Sequence, residues 1–390
     1  NVLGDGDGNL LTKGASGLEA GYDSLLVGKP GRTLKQRIGG VWTEVTLEEP
    51  HGGGSLYTTI DVDLQRITDK ALEKRMIETQ GDRGTAILME VSTGRIVAMS
   101  NLSRTDSAHY EPSYCIAFND YFHPGSVFKA ATIMAALEDG VVTPSDLINV
   151  GNGSYRFGRR TITDHGSRLK GSITVEQAIA LSSNVAMAKI ALKGYGHRPQ
   201  HFIDKIKSFG FCDDLHLEIP GYAVSRIKDA SDPTWSALSL PWIAHGYETQ
   251  ITPITLATFY AAIANGGNYL CPYLVDSIVA VDGTVLFRGE RKVLRDSICK
   301  SSTAAALRKM LRMVVTDGTG TLAQSDIVAI SGKSGTAQVG STGRGYIYSA
   351  SFCGMFPSEA PEYVCFVDVI HPRRVSIYGG PVSAPVVKEI

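Results

Sequence analysis

A serine and a lysine three positions apart, in Ser126-Val127-Phe128-Lys129, stand where a strongly apolar helix is predicted to begin. Positions i and i+3 share a helix face, so the Lys129 amine can lie beside the Ser126 hydroxyl. At a helix N-terminus the backbone amides point forward unpaired and the dipole favours negative charge. That suits an attacking alkoxide and the oxyanion that follows. A serine hydroxyl is a weak nucleophile until a base takes its proton. Lysine does so only when burial or a nearby cation lowers its pKa. Taken alone, the same four residues also read as a core helix with an exposed lysine.

Two further segments carry compatible groups. Lys333-Ser334-Gly335-Thr336 opens a predicted strand. Its lysine brings positive charge to a carboxylate-bearing substrate and to the pKa of a base. Ser334 and Thr336 offer hydroxyls to a carboxylate, and Gly335 is expected to let a ligand backbone approach the strand closely. Ser182 and Asn184 lie between two helical runs, where a hydroxyl can relay a proton and an amide can hold a carbonyl or orient a lysine. Their bland readings are a polar strand start and a self-capped kink. What separates the segments from coincidence is their joint occurrence, in this order, each on a suitable element.

Those elements follow from periodicity and punctuation. Residues 56–60 read as a short strand by β-propensity. Asp61 or Asp63 can cap a helix in which Leu64, Ile67, Ala71, Leu72 and Met76 recur at helical spacing. Residues 85–91 and 95–100 flank Ser92-Thr93-Gly94 as a hairpin. Helical runs cover 127–138, 174–181, 185–192, 254–264 behind Pro253, and 303–315. The last third turns to strands at 333–339, 348–356 and 363–370, with a closing helix from Pro385. Two early and three late strands with helices between predict an α+β fold, its sheet assembled from both ends of the domain.

Composition bounds the rest. In 390 residues, 38 Lys+Arg balance 39 Asp+Glu, which excludes an obvious electrostatic nucleic-acid binder. Hydrophobic residues at 43% and charged residues at 20% suit a packed globular protein. No apolar stretch reaches the ~18 residues of a membrane helix, and the Gly/Asp-rich start is no signal peptide, so any anchor is expected outside this chain. Cys115, Cys212, Cys271, Cys299, Cys353 and Cys365 form no Cys-x-x-Cys pair and are expected to be free, mostly buried thiols. No metal or cofactor is called for. Pro199 spoils a shared helix face for His197 and His201, and Asp5, Asp7 and Asn9 echo a calcium loop without its glycine or final glutamate.

Ser-x-x-Lys, Ser-x-Asn and Lys-[Ser/Thr]-Gly together are the set carried by penicillin-binding proteins and serine β-lactamases. Through nearly its whole length the sequence resembles a class B penicillin-binding protein, the peptidoglycan transpeptidase type. Ser16-Gly17-Leu18-Glu19, Tyr22-Asp23 and Gly28-Lys29-Pro30-Gly31 resemble the end of that family's N-terminal pedestal, and Thr58-Thr59-Ile60-Asp61-Val62-Asp63-Leu64-Gln65 the entry to its transpeptidase domain. Gly318-Thr319-Gly320-Thr321 and Ala384-Pro385 also fit. Asn184-Val185-Ala186-Met187-Ala188-Lys189 is closer to the septal branch than to the elongation branch. His123 and Val127 depart from the usual Glu before the Pro and Thr after the Ser.

The resemblance implies residues 1–55 as the C-terminal part of a β-rich pedestal with its linker. It implies residues 56–390 as a transpeptidase domain with a five-stranded antiparallel sheet flanked by helices, plus an all-helical subdomain. It implies that Ser126 attacks the carbonyl between the two terminal D-alanines of a stem peptide, with Lys129 as base. Ser182 would relay protons, Asn184 would hold substrate, and Lys333, Ser334 and Thr336 would take the terminal carboxylate. The amides of Ser126 and Thr336 would form the oxyanion hole. D-Alanine would leave and a neighbouring amine take the acyl group, while a β-lactam would acylate Ser126 and stay. Trp242, His245, Gly246, Tyr247 and Glu248 are placed near the cleft, where packing is an equal reading. The expected setting is the outer side of the cytoplasmic membrane, with a native N-terminal anchor, a glycan-polymerising membrane partner and division proteins. The alternatives are a serine β-lactamase, disfavoured by the long stretch between Ser182 and Lys333 and by the N-terminal segment, and a β-lactam-sensing domain that binds without crosslinking.

Overall fold

The computed structural model describes residues 2–4, 10–106, 109–165, 169–343 and 345–390; the Asp5, Asp7 and Asn9 echo of a calcium loop lies outside them. The chain divides into two compact units. The larger comprises Ile60–Leu215, Ala223–Pro272 and Arg291–Ile390, and the smaller Asn1–Thr59, His216–Tyr222 and Tyr273–Glu290.

The larger unit is built on one antiparallel sheet. Its helix α1 (Val62–Thr79) begins where Asp61 Oδ1 accepts the amides of Asp63 and Leu64, at 2.9 and 3.0 Å. That satisfies two of the donors a helix start leaves open. Strands β1 (Arg83–Glu90), β2 (Ile96–Arg104) and β3 (Tyr110–Pro112) follow. Far along the chain come β4 (Ser331–Thr342), β5 (Gly345–Phe356) and β6 (Tyr363–Ile370). The sheet order is β4-β5-β6-β1-β2-β3, so the ends of the unit meet where β6 pairs with β1. Sequence reasoning expected five strands; the sixth, β3, is a three-residue edge strand with Pro112 in its ladder. Such a piece carries almost no propensity signal, and proline fits only at an edge.

Both faces of the sheet are covered, which is why its strands read as nearly continuous apolar runs. On one face Ala86, Leu88, Ala350, Phe352, Cys365 and Val367 form a core with Leu72 and Met76 of α1 and with Val382, Val386 and Val387 of the closing helix, Gly379–Glu389. That helix starts six residues before Pro385, at Gly379 and Gly380, which pack against backbone oxygens of Ser351 and Thr319 where a Cβ has no room. Against the other face lies Pro253–Ala264, buried along its whole length. The middle region is mainly helical but not all-helical. It carries two antiparallel strand pairs, Leu147–Gly151 with Gly171–Thr174 and, between them in sequence, the hairpin Ser154–Phe157 with Arg160–Thr163 turned by Gly158-Arg159. Four cysteines are buried and two half-buried, and none of the six is joined in a disulfide.

The smaller unit takes up two segments from beyond residue 59. Ser55–Thr58 pairs with Val275–Val279, which pairs in turn with Val285–Arg288. The Glu218 carboxylate accepts the amides of Leu274 (2.6 Å) and Val275 (3.2 Å) and the Tyr22 hydroxyl (3.3 Å). A single cut at 55/56 does not capture this division. Strand pairing over some 220 positions leaves no local trace in a sequence.

Candidate active site

Ser126 lies in a 3₁₀ turn, Gly125–Phe128, that runs directly into helix Lys129–Glu138. Gly125 has φ +53°, and a Cβ there would meet the Thr336 carbonyl oxygen at 2.6 Å. Only glycine lets the turn approach β4 this closely. The Gly125 amide donates to Gly246 O (3.1 Å), and Val127 O accepts the Tyr260 hydroxyl (2.8 Å). Val127 and Phe128 are fully buried, so the turn is clamped on three sides while Ser126 keeps its face to the cleft.

One turn on, Lys129 is completely buried. Its ammonium donates to Ser182 O (2.6 Å), Ser182 Oγ (3.1 Å) and Asn184 Oδ1 (2.7 Å). All three donors are satisfied, but no acceptor is a carboxylate. Burial therefore pushes the amine down to about 7, against a weaker upward pull from Asp164. Lys333 is equally buried and donates to Ser182 Oγ (3.0 Å) and Ser334 O (3.0 Å). Burial first, and the charge of Lys129 second, hold its pKa well below the ordinary lysine value. Ser182 Oγ thus receives a hydrogen bond from each lysine, leaving its own proton free for the cleft. Ser182 itself sits at φ +59°, a sparsely populated backbone region for a non-glycine residue. Strain of this kind persists where the surroundings over-determine it.

The strand residues divide by the period-two rule. Ser334 and Thr336 line the cleft. The Ser334 and Thr319 hydroxyls are 2.6 Å apart, and Thr336 Oγ1 accepts the Gly379 amide (3.2 Å). Gly335 does not line it. A Cβ at Gly335 would sit 2.3 Å from Val127 Cγ2 and from Ser351 Oγ. Its missing side chain makes room for the Ser126 turn rather than for a ligand, which corrects the sequence expectation. Lys333 shares that inward side.

Ser126, Ser182, Asn184, Ser334 and Thr336 therefore face one cleft of about 460 Å³, with Lys129 and Lys333 behind it. The three segments meet at this cleft, and the hydrogen bonds of Lys129 go to Ser182 and Asn184. From the stretch at 242–248, His245 and Tyr247 also line the cleft. Burial, reinforced by Lys129, drops the His245 imidazole to about 3, so it is neutral at any physiological pH. Trp242 packs behind both rings, with centroids at 6.3 and 5.9 Å. His123 stays out of the lining and bonds Thr249 O (2.8 Å). His197 precedes the helix Pro199–Ser208 that carries His201, and among the described residues no three metal-ligating side chains cluster.

Sequence reasoning missed His165, Thr319 and Tyr378 in the lining, and Asp164 beside it. Asp164 Oδ2 accepts the Ser183 hydroxyl (2.9 Å) and Oδ1 the Val185 amide (3.0 Å), while Asn184 Nδ2 donates to Thr163 O (2.9 Å). Thr319 lies in a stretch whose fit to the family was visible; Asp164 stood in no motif.

Comparison with known proteins agrees with this geometry. The penicillin binding protein transpeptidase domain matches residues 84–390. The probable peptidoglycan D,D-transpeptidase PbpC of Pseudomonas aeruginosa is 30% identical, over 98% of this chain and 66% of its own. The peptidoglycan D,D-transpeptidase FtsI of Escherichia coli is 30% identical, over 97% of this chain and 62% of its own. The chain thus spans somewhat under two thirds of the length of these relatives. Among solved structures, the transpeptidase domain of Burkholderia pseudomallei penicillin-binding protein 3 superposes with a TM-score of 0.72 at 29% identity, over 85% of this chain and 93% of that one. Penicillin-binding protein 3 of Mycobacterium tuberculosis does so with 0.80 at 25% identity, over all of this chain and 86% of that one. With a serine and a buried lysine at a helix start, a Ser-x-Asn turn bonded to that lysine and a Lys-Ser-Gly-Thr strand closing the cleft, this chain belongs to the penicillin-binding protein transpeptidase family.

Proposed function

We propose that the protein is a serine D,D-transpeptidase that crosslinks peptidoglycan stem peptides through an acyl-enzyme on Ser126. The observation that carries this reading is Lys129, fully buried, bonded only to neutral acceptors and depressed to about 7. A base with a pKa near the working pH is the most effective kind. In the proposed cycle the Ser126 hydroxyl adds to the carbonyl of the penultimate D-alanine as its proton passes to Lys129. The oxyanion is held by the amides of Ser126 and Thr336, a donor pair worth roughly 3 kcal/mol. Collapse breaks the peptide bond, and a proton routed through Lys129 and Ser182 leaves on the amine of D-alanine. The ester is then attacked by an amine of a second stem peptide, which restores Ser126. Ser334 and Thr336 bind the terminal carboxylate, with Lys333 behind them adding positive charge to the site and Thr319 positioning the Ser334 hydroxyl. Strand β4 forms the edge of the sheet, so an extended peptide has an open backbone edge to lie along.

A β-lactam reproduces the reactive end of the stem and acylates Ser126 in the same way. No carboxylate is among the described residues lining the cleft, so no obvious group activates a hydrolytic water, and the acyl-enzyme is long-lived. Septal duty, an N-terminal membrane anchor and work outside the cytoplasmic membrane with a glycan polymerase and division proteins follow from the family likeness. Among the described residues no helix is long and apolar enough to cross a membrane.

The test is labelling with a fluorescent penicillin followed by peptide mass mapping. The label is expected on Ser126, with a lifetime of many minutes, and is abolished in Ser126→Ala. Release of D-alanine from a stem-peptide substrate, with transfer to an added amine, distinguishes a transpeptidase from a sensing domain. Turnover of the label within a second points to a β-lactamase, and persistent labelling of Ser126→Ala removes the assignment.

A further inference from the structure

Two lysines buried side by side need something to hold them in register and to offset their charge. Lys129 and Lys333 both donate to Ser182 Oγ, and each lies within reach of the other's field. Neither ammonium is hydrogen-bonded to a carboxylate. Isolated charges removed from water cost several kcal/mol each unless they are paired or neutralised. Asp164 is the one carboxylate among the described residues whose charge registers on either lysine.

Its placement is specific. Asp164 stands at the end of the hairpin Ser154–Phe157/Arg160–Thr163, where its own amide donates to Gly153 O (2.9 Å). From there its two carboxylate oxygens take Ser183 Oγ and the Val185 amide, the residues on either side of Asn184. The adjacent Thr163 carbonyl takes the Asn184 amide group, so that Asn184 Oδ1 is turned towards Lys129. Ser183 also caps the helix Asn184–Tyr195 through the Ala186 amide (2.9 Å). Three hydrogen bonds from one hairpin end thus determine where Ser182 and Asn184 meet the lysine.

We propose that Asp164 is a positioning residue for the acylation step: its carboxylate clamps the Ser182-Ser183-Asn184 turn onto Lys129 and supplies a counter-charge to that lysine. This rests on the transpeptidase reading above. Among the described residues, the charge of Lys129 acts on Lys333 of β4 and on His245 of the turn after Ser239–Ile243, His165 acts on His245, and Tyr247 lines the same cleft. The two histidines face both wild type and variants alike, so a change specific to Asp164 variants reports on that carboxylate.

The sign follows from electrostatics. A nearby negative charge favours protonated Lys129, and the base is the deprotonated form. Asp164→Asn keeps an oxygen for the Val185 amide and removes the charge. The experiment measures the second-order acylation of Ser126 by a penicillin against pH, separated into non-covalent binding and first-order acylation. Wild-type labelling at Ser126 is established first, so a failure of the underlying reading appears there. In Asp164→Asn the acid limb is expected to move to lower pH by roughly half a unit or more. Its maximal first-order constant should fall roughly tenfold or more, because the turn is loosened. Asp164→Glu keeps the charge and displaces it, so its midpoint is expected to stay near wild type while the maximal constant falls and non-covalent binding is retained. Ser183→Ala, which keeps the carboxylate, should lower thermal stability without moving the midpoint. An unmoved midpoint in Asp164→Asn overturns the counter-charge. An unchanged first-order constant in Asp164→Glu overturns the clamp, and this arm stands even where the Asn variant does not fold.

Discussion

At the scale of single residues, the site depends on what a lysine does when water is taken away. Lys129 in solvent would be protonated and useless as a base; completely buried, and offered only a carbonyl, a hydroxyl and an amide oxygen, it titrates near 7. The rate of Ser126 acylation is therefore expected to rise with pH through about 7 and then level off, since the deprotonated amine is the active form. Lys129→Arg keeps a cation that cannot be deprotonated. It should lose roughly a thousandfold in acylation, the span of general-base catalysis, in a protein that still unfolds cooperatively; substantial activity in it would show that another group takes the proton. Thr319→Val removes the hydroxyl 2.6 Å from Ser334 Oγ. Since the bond orients one carboxylate-binding group, the expected cost is a weaker KM for the stem peptide by a factor of a few, corresponding to about 1 kcal/mol, with kcat nearly unchanged. The motif residues could be recognised in the sequence because their chemistry is unusual at their spacing. Asp164 and Thr319 could not be assigned roles, because an aspartate after a hairpin and a threonine between two glycines are common until the fold gives them neighbours.

Elements determine which of those residues can meet. The sequence is explicit about the strong elements: the helix behind Pro253, the three late strands and the capped helix after Asp61 all lie within a few residues of their expected bounds. It is silent about faces and long-range partners. Gly335 shows why. Its type signals a demand for close approach and suggests a ligand, and only the strand's orientation reveals that the approaching group is the Ser126 turn instead. Gly335→Ala would bring a methyl to 2.3 Å from Val127 Cγ2 and Ser351 Oγ and 3.0 Å from Pro124 O. Val127 is fully buried and Pro124 O is backbone, so the turn and β4 must separate. Overpacking of this kind costs roughly 1–3 kcal/mol. The expected result is a lower Tm together with a fall in acylation larger than the stability loss explains, because Ser126 and the Thr336 amide move apart. Gly39→Ala, with open space around it in the turn between the paired strands Arg32–Ile38 and Val41–Glu48 of the smaller unit, keeps acylation at the wild-type rate. If Gly335→Ala acylates normally, the glycine's role lies elsewhere.

At the scale of the whole molecule, the division into two units separates chemistry from covalent continuity. Every group invoked at the site, Ser126, Lys129, Asp164, Ser182, Asn184, His245, Thr319 and Lys333–Thr336 included, belongs to the larger unit, while the smaller one takes up 216–222 and 273–290 from within the same stretch of chain. A truncation made at the apparent start of the catalytic domain is therefore not neutral. A chain beginning at Ser55 keeps the strand Ser55–Thr58 on Val275–Val279; one beginning at Ile60 removes it and leaves that sheet two-stranded. Val275 and Ile278, fully buried in the intact protein, would lose cover, and the amides that faced Leu56 and Thr58 would lose partners. Two-stranded sheets are marginal in water. The chain from Ile60 is expected to melt roughly 3 °C or more below the chain from Ser55, a shift of about 2 kcal/mol for a protein of this size, and to aggregate more readily on heating. Its folded fraction should nevertheless acylate with the same pH midpoint, because none of the groups that tune Lys129 lies in the smaller unit. Calorimetry on the two chains, with penicillin labelling across pH on each, measures both halves of this expectation; a shifted midpoint in the shorter chain would place part of the lysine's environment outside the larger unit.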